Sequence, residues 1–142
     1  MNKYLLIGLL SYILYFDNVS RSYAQANQHV NISSQPAWGP AGYNEADYYY
    51  LPGIESYYCV ATRQFIYLNG GRWIFTNNQP SKYAKYDLYS GYKVIINKPR
   101  AYLNFNQDRL QYSKLAGYHG HQVSIRDAKN AKYKNLDKRK YR

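Results

Sequence analysis

The chain has 142 residues, with 19 Lys and Arg against 8 Asp and Glu, and a formal net charge of +11 at pH 7. This length suits one small domain, and a single cysteine excludes a framework of internal disulfide bonds. The sequence contains no Gly-x-Ser-x-Gly motif, phosphate-binding glycine loop or His-Glu-x-x-His motif, which excludes these common hydrolase, nucleotide-binding and zinc-protease signatures. We therefore predict a non-enzymatic protein without a cofactor.

Residues 1–26 have the organisation of a cleavable secretory signal peptide. Lys3 supplies a positive start, residues 4–16 form an uncharged and mostly apolar run, and Ala24-Gln25-Ala26 fits the small-x-small cleavage rule. As a helix the apolar run would span roughly 20 Å, which is short against the roughly 30 Å of a hydrocarbon core. We predict an exported protein of the periplasm, the outer envelope or the extracellular space, with an uncleaved anchor as the alternative.

Residues 27–43 are rich in Gln, Asn, Ser, Pro and Gly, which predicts a flexible lead-in from which Trp38 could fold back onto the domain. Residues 44–106 are predicted to form that domain, a small antiparallel sheet or β-meander of mainly β or α+β class. The chain contains 20 tyrosines, and tyrosine favours strands that cannot hide both faces.

The strand candidates of this domain are, in chain order, residues 48–51, 54–60, 65–68, 72–75 and 92–97. Asn69-Gly70-Gly71 is the strongest turn signal, and with Asn69 and Gly70 at its centre Tyr67 would face Arg72. One face of the hairpin would then carry Ile66, Leu68, Trp73 and Phe75, and the other Phe65, Tyr67, Arg72 and Ile74. We expect the last strand to pair with this hairpin. Residues 82–90 are predicted to form a short helix that stops at Gly91.

The positive charge of the exported part is concentrated towards its C-terminus. Residues 27–98 carry six basic and four acidic side chains, whereas residues 99–142 carry eleven basic and three acidic ones. Apolar residues become sparse beyond about Gln107, so residues 107–142 are predicted to form a basic and largely disordered tail, in which residues 122–126 could make one further short strand. This tail would either attract anionic polymers or act as a solubilising extension.

Four segments of the sequence resemble small exported proteins of the Bacteroidetes that carry no assigned activity: Trp38–Tyr43, Tyr48–Tyr58, Phe65–Trp73 and Asp87–Val94. The resemblance covers roughly residues 38–100. It implies a location in a bacterial envelope or outside the cell, and it implies no particular chemistry.

Aromatic side chains beside basic ones form the leading candidate for a ligand-binding surface. The prediction centres on Tyr67, Arg72, Trp73 and Lys93, and the same interleaving continues through residues 82–86. Such a surface suits a sugar chain, a lipid head group or single-stranded nucleic acid, of which nucleic acid is the least natural ligand for an exported protein. We predict a binding or structural role at the envelope, with anionic envelope polymers or polysaccharide as partners. The alternative is that these rings form the core and rim of the sheet.

His119 and His121 support an alternative function, a small metal-dependent enzyme or factor. Two imidazoles so spaced point to one side of an extended chain and suit Zn or Cu, but no Cys or carboxylate is spaced to complete a set of three or four ligands. Cys59 is expected to be a small buried apolar residue instead of a nucleophile. Nothing in the sequence fixes any two carboxylates at the working distance of a glycosidase, among Glu45, Asp47, Glu55, Asp87 and Asp108.

Overall fold

A five-stranded antiparallel sheet is the main element of the computed structural model, which describes residues 32–118, 122–130 and 133. The prediction of a mainly β fold is therefore confirmed. The strands are β1 (Tyr48–Leu51), β2 (Ser56–Cys59), β3 (Gln64–Asn69), β4 (Arg72–Thr76) and β5 (Val94–Ile96). The helix α1 (Phe105–Gln111) follows the sheet, and short 3₁₀ turns occupy Ile32–Ser34, Pro52–Ile54, Ser81–Tyr83, Ala101–Asn104 and Ser113–Leu115.

The strands lie in the order β4-β3-β2-β1-β5, so the first four form a meander and β5 returns to the outer side of β1. The prediction that residues 92–97 pair with the β3–β4 hairpin is wrong, because Tyr49 of β1 lies opposite Ile95. The reason is that β1 is almost entirely buried. Its outward backbone groups need hydrogen-bond partners away from water, and β5 supplies them.

The β3–β4 hairpin turns at Gly70 and Gly71, one residue later than predicted. Their φ angles are +55° and +75°, the two positive values that a type I′ turn requires. Tyr67 consequently lies opposite Ile74 and not opposite Arg72, which instead faces Asn69. Because each partner shifts by two residues, every side chain of the hairpin keeps the face that the sequence predicted.

Both faces of the sheet carry aromatic side chains, and both are covered. The side that carries Tyr49, Tyr58 and Phe65, on neighbouring strands, is called the front face. The side that carries Tyr50 and Tyr57 is called the back face. The residues packed on the front face from outside the sheet are Trp38, Tyr83, Tyr86 and Leu88. Those packed on the back face are Ala101, Tyr102, Phe105 and Tyr112.

The folded unit extends beyond the predicted limits of residues 44–106. Trp38 packs edge-on against Tyr49 and Tyr58, with ring centres 5.5 and 4.8 Å away, as the sequence suggested. Backbone hydrogen bonds join residues 37–41 to residues 123–126, where Ile125 is buried. Residues 122–130, predicted to belong to a solvated tail, therefore close against the lead-in.

Residues 82–90 do not form the predicted helix. One 3₁₀ turn, Ser81–Tyr83, is followed by irregular turns. The carboxylate of Asp87 accepts the backbone N–H of Tyr89 at 2.9 Å, a local bond that competes with helical hydrogen bonding. The irregular path brings Tyr86 and Leu88 onto the front face.

Candidate functional site

The four residues at the centre of the predicted binding surface do not share one surface. Tyr67 and Arg72 lie on the front face, whereas Trp73 lies on the back face. Lys93 lies beside β5, at the opposite edge of the sheet, and is 1% exposed. The rings that pack edge-on against Trp73 are those of Tyr57, Tyr102 and Phe105. Trp73 and Lys93 therefore belong to the packed structure, and their grouping with Tyr67 and Arg72 is wrong.

The structure does bring together the basic and aromatic residues of the segment that crosses the front face. They form a shallow cleft of about 420 Å³, which we call the basic aromatic cleft. The Nζ atom of Lys82 lies 4.6 Å from the ring centre of Tyr83 and 5.7 Å from that of Tyr67, so two aromatic faces hold one ammonium group. The lining residues are Gly53, Ile54, Ser81, Lys82, Tyr83, Ala84, Lys85 and Tyr86.

Tyr86 gives the cleft its inner wall, and two glycines make room for it. A Cβ atom at Gly91 would overlap the Tyr86 hydroxyl, and one at Gly53 would lie 2.7 Å from a ring carbon. The side-chain amide of Gln79 donates to the carbonyls of Tyr83 and Tyr86, at 2.5 and 2.8 Å. These bonds satisfy carbonyl groups that a helix would have paired internally, and they fix the segment that carries both lysines.

The electrostatics of the cleft favour an anion. Lys82 and Lys85 are exposed, and no carboxylate of the described residues lies within salt-bridge distance of either ammonium group. The nearby Asp87 has a pKa below its ordinary value, chiefly because its carboxylate accepts the N–H of Tyr89. Asp87 is thus ionised, but its carboxylate accepts a hydrogen bond within its own turn and forms no ion pair with Lys82 or Lys85.

A buried hydrogen bond on the back face was not predicted. Tyr57 donates to Oδ2 of Asp108 at 2.7 Å, and the two residues are 0% and 3% exposed. Burial, with a further contribution from this bond, raises the pKa of Tyr57. This hydrogen bond stabilises the packing of α1 on the sheet. Because both residues are buried, a substrate cannot contact them. A sequence signal existed, because Ala101, Phe105, Asp108 and Tyr112 recur at helical spacing.

Lys93 lies at the β5 edge of the sheet, where both its ammonium group and its backbone are hydrogen-bonded. We call this the closed edge. The Lys93 ammonium group donates to the carbonyl of Tyr89 at 3.1 Å, and burial lowers its pKa to about 8. The side-chain amide of Gln122 accepts the backbone N–H of Lys93 at 2.8 Å and donates to its carbonyl at 3.0 Å. Gln122 therefore pairs with this backbone as a neighbouring strand would.

His119 and His121 lie outside the described residues, as does the candidate signal peptide, so these two interpretations stay predictions. Within the described part of the chain, no three His, Cys, Asp or Glu side chains lie close enough together to hold a metal ion. Cys59 is buried on the back face, as predicted. Among the helices of residues 32–118, 122–130 and 133, none has the length and apolar character to cross a membrane.

Comparison with known proteins gives no match, since no family model corresponds to this chain and no similar protein was found among curated proteins or solved structures. A function must therefore be inferred from the chemistry of the chain's own residues.

Proposed function

We propose that this chain is an exported, non-enzymatic protein that binds anionic polymers of the cell envelope through the basic aromatic cleft. The observation that carries the proposal is the placement of Lys82 over the rings of Tyr67 and Tyr83, with Lys85 lining the same cleft. Export is the expectation from residues 1–26.

The shape of the cleft favours a polymer over a small molecule. Sites for small ligands are usually deep and enclose most of the ligand, whereas this cleft is shallow. A shallow surface can still bind a chain that continues past both of its ends, because further repeats add contacts. Two ammonium groups supply attraction for repeated negative charges, and aromatic faces supply flat apolar contacts for sugar rings.

The basic C-terminal part adds a less specific attraction. Residues 99–142 carry eleven basic and three acidic side chains. A positive charge of this size raises the local concentration of a polyanion, and the effect weakens as salt rises. The cleft would select the ligand, and the C-terminal charge would speed its encounter.

The decisive experiment is a binding panel with the purified protein against lipopolysaccharide, peptidoglycan, an acidic polysaccharide and single-stranded DNA, at low and high salt. Replacing Lys82→Ala together with Lys85→Ala is expected to weaken binding of the anionic glycans roughly tenfold, which corresponds to about 1.4 kcal/mol. The matched control is Lys114→Ala with Lys129→Ala, which removes the same charge from exposed positions outside the cleft. Equal losses in the two double variants would mean that net charge, and not the cleft, binds the polymer.

A second variant separates stacking from charge. Tyr83→Leu keeps the apolar volume of the cleft but removes the aromatic face, so it should weaken binding of a polysaccharide severalfold even at high salt. Tyr118→Leu is the control, because Tyr118 is 51% exposed and does not line the cleft. Binding of single-stranded DNA alone, or cleavage of any polymer in the panel, would overturn the proposed function.

A further inference from the structure

The two edges of the sheet differ in length and in how their backbone groups are paired. At β5 the edge is only three residues long. The side-chain amide of Gln122 forms hydrogen bonds with both the N–H and the carbonyl of the adjoining Lys93. At β4 the edge is five residues long, and among the described residues its only strand neighbour is β3. One edge is thus short and capped, while the other is long and open.

The open edge presents backbone groups of two particular residues. Asn69 and Arg72 flank a two-residue turn and form the first hydrogen-bonded pair of the hairpin. Hydrogen-bonded and non-hydrogen-bonded pairs alternate along an antiparallel ladder, so Arg72, Ile74 and Thr76 bond to β3. The N–H and C=O groups of Trp73 and Phe75 therefore point outward.

Apart from the exposed charge of Arg72 at its start, this edge lacks the devices that usually protect an exposed strand. The sequence of β4 contains neither proline nor lysine, and its register with β3 runs without a bulge from Arg72 to Thr76. Its end is apolar, because Phe75 remains 48% exposed on the back face. An edge of this kind accepts a further strand.

The two sides of the edge differ in chemistry, which defines the strand that fits. The front side of β4 carries the exposed Arg72, followed by Ile74 and Thr76. Lys82 lies over the ring of Tyr67, which is the neighbour of Ile74 on β3. On the back side lie Trp73 and Phe75. Since side chains of an added strand alternate between these sides, acidic residues would meet the positive groups and apolar residues would meet the rings.

We propose that β4 is a strand-addition site for an extended segment of a partner protein in which acidic and apolar residues alternate. A second copy of this chain is a poorer occupant, because residues 27–142 of each copy carry 17 basic and 7 acidic side chains, and the two copies would repel each other. The site is separate from the polymer-binding role of the basic aromatic cleft, and either could fail without the other.

The test uses the purified protein and a capped heptapeptide that alternates glutamate with valine. This peptide should bind, while the same composition in two blocks, or lysine in place of glutamate, should bind at least about tenfold more weakly, a loss of about 1.4 kcal/mol. A version N-methylated at the amides that would face β4 should lose binding. Undiminished binding of the methylated or blocked peptide, or no binding of the alternating one, would overturn the proposal.

Two variants at one position separate the backbone from the ring. Phe75→Pro removes an outward N–H and should abolish peptide binding, whereas Phe75→Thr keeps the N–H and should weaken binding only a few fold. Circular dichroism checks that both variants fold, and the methylated peptide decides the matter if the proline variant does not. If wild-type protein dimerises in sedimentation experiments and Phe75→Pro does not, the occupant is a second copy and the proposed partner is wrong.

Discussion

The two layers that cover the sheet are built in different ways. The back layer comes from one continuous stretch, residues 101–112, and is sealed by the buried bond between Tyr57 and Asp108. The front layer is assembled from separate stretches, with Trp38 from the lead-in and Tyr83, Tyr86 and Leu88 from an irregular segment. A helical layer can satisfy its own backbone and close. The irregular layer is held by the side-chain amide of Gln79 instead, and it places the exposed Lys82 and Lys85 beside aromatic rings.

The largest expected effect tests whether the lead-in is part of the front layer. Trp38→Ala removes a ring that contacts Tyr49, Tyr58 and Phe65, and should lower the free energy of unfolding by about 3 kcal/mol. Chemical denaturation measures the change. The control is Tyr43→Ala in the same segment, which should cost less than about 0.5 kcal/mol because Tyr43 is 45% exposed. Similar losses of unfolding free energy in both variants would show that the packing of Trp38 on the sheet does not stabilise the fold.

A smaller effect tests the seal of the back layer. Tyr57→Phe keeps the ring but leaves the buried Asp108 carboxylate without this donor, and should cost about 2 kcal/mol. Tyr112→Phe, in the same layer but half-buried, should change stability by less than about 0.5 kcal/mol. If the two substitutions proved equal in thermal unfolding, the bond would not be what holds α1 to the sheet.

The smallest effect concerns Lys93, at the closed edge. Its folded pKa of about 8 lies below its ordinary 10.5, so the folded protein gains stability from this group as pH rises from about 8 to 10.5. The cost of burying this ammonium group exceeds what its bond to the Tyr89 carbonyl and its attraction to Asp87 return. Lys93→Met should therefore stabilise the protein at pH 7 by about 1 kcal/mol, or roughly 4 °C in Tm. This advantage should shrink across that pH interval.

Buried tyrosines provide the reference for this pH measurement. Burial raises the pKa of Tyr48 to about 12, with a smaller contribution from Cys59, so stability from this group is lost as pH rises above 10. That loss is common to wild type and Lys93→Met, and it cancels in their difference. An advantage of the methionine variant that stayed constant from pH 7 to 10.5 would contradict the lowered pKa of Lys93.

The meander was predictable because its signals are local. Neighbouring strands of the meander pair residues that are at most 11 positions apart, as Tyr48 with Cys59 and Phe65 with Thr76. The position of β5 and the burial of Ile125 were not predictable, because both depend on contacts far away in sequence. The alternation of Val123 and Ile125 suggested a short strand but gave no sign of the lead-in that covers it, and the structure forms only an isolated β-bridge there, between Pro40 and Ser124.

The sequence predicted which types of residue form the candidate site, but not which individual residues belong to it. The interleaved residues 82–86 indicated a basic aromatic surface, and the cleft contains them. Strand alternation already assigned Arg72 and Trp73 to opposite faces of the hairpin, so the two could not belong to one surface of the sheet. The backbone of Lys93 is paired with the side chain of Gln122, 29 residues away, and no local sequence pattern indicates this contact.

The closure between the two ends of the chain sets an order of assembly. The contacts within residues 48–76 are short in sequence, so the meander can form quickly. The backbone of residues 37–41 must wait for residues 123–126, and the N–H of Gly42 waits for the hydroxyl of Tyr133, 91 positions later. The segment that leads into the sheet is made before it, and we expect it to be fixed in place only after the sheet is complete.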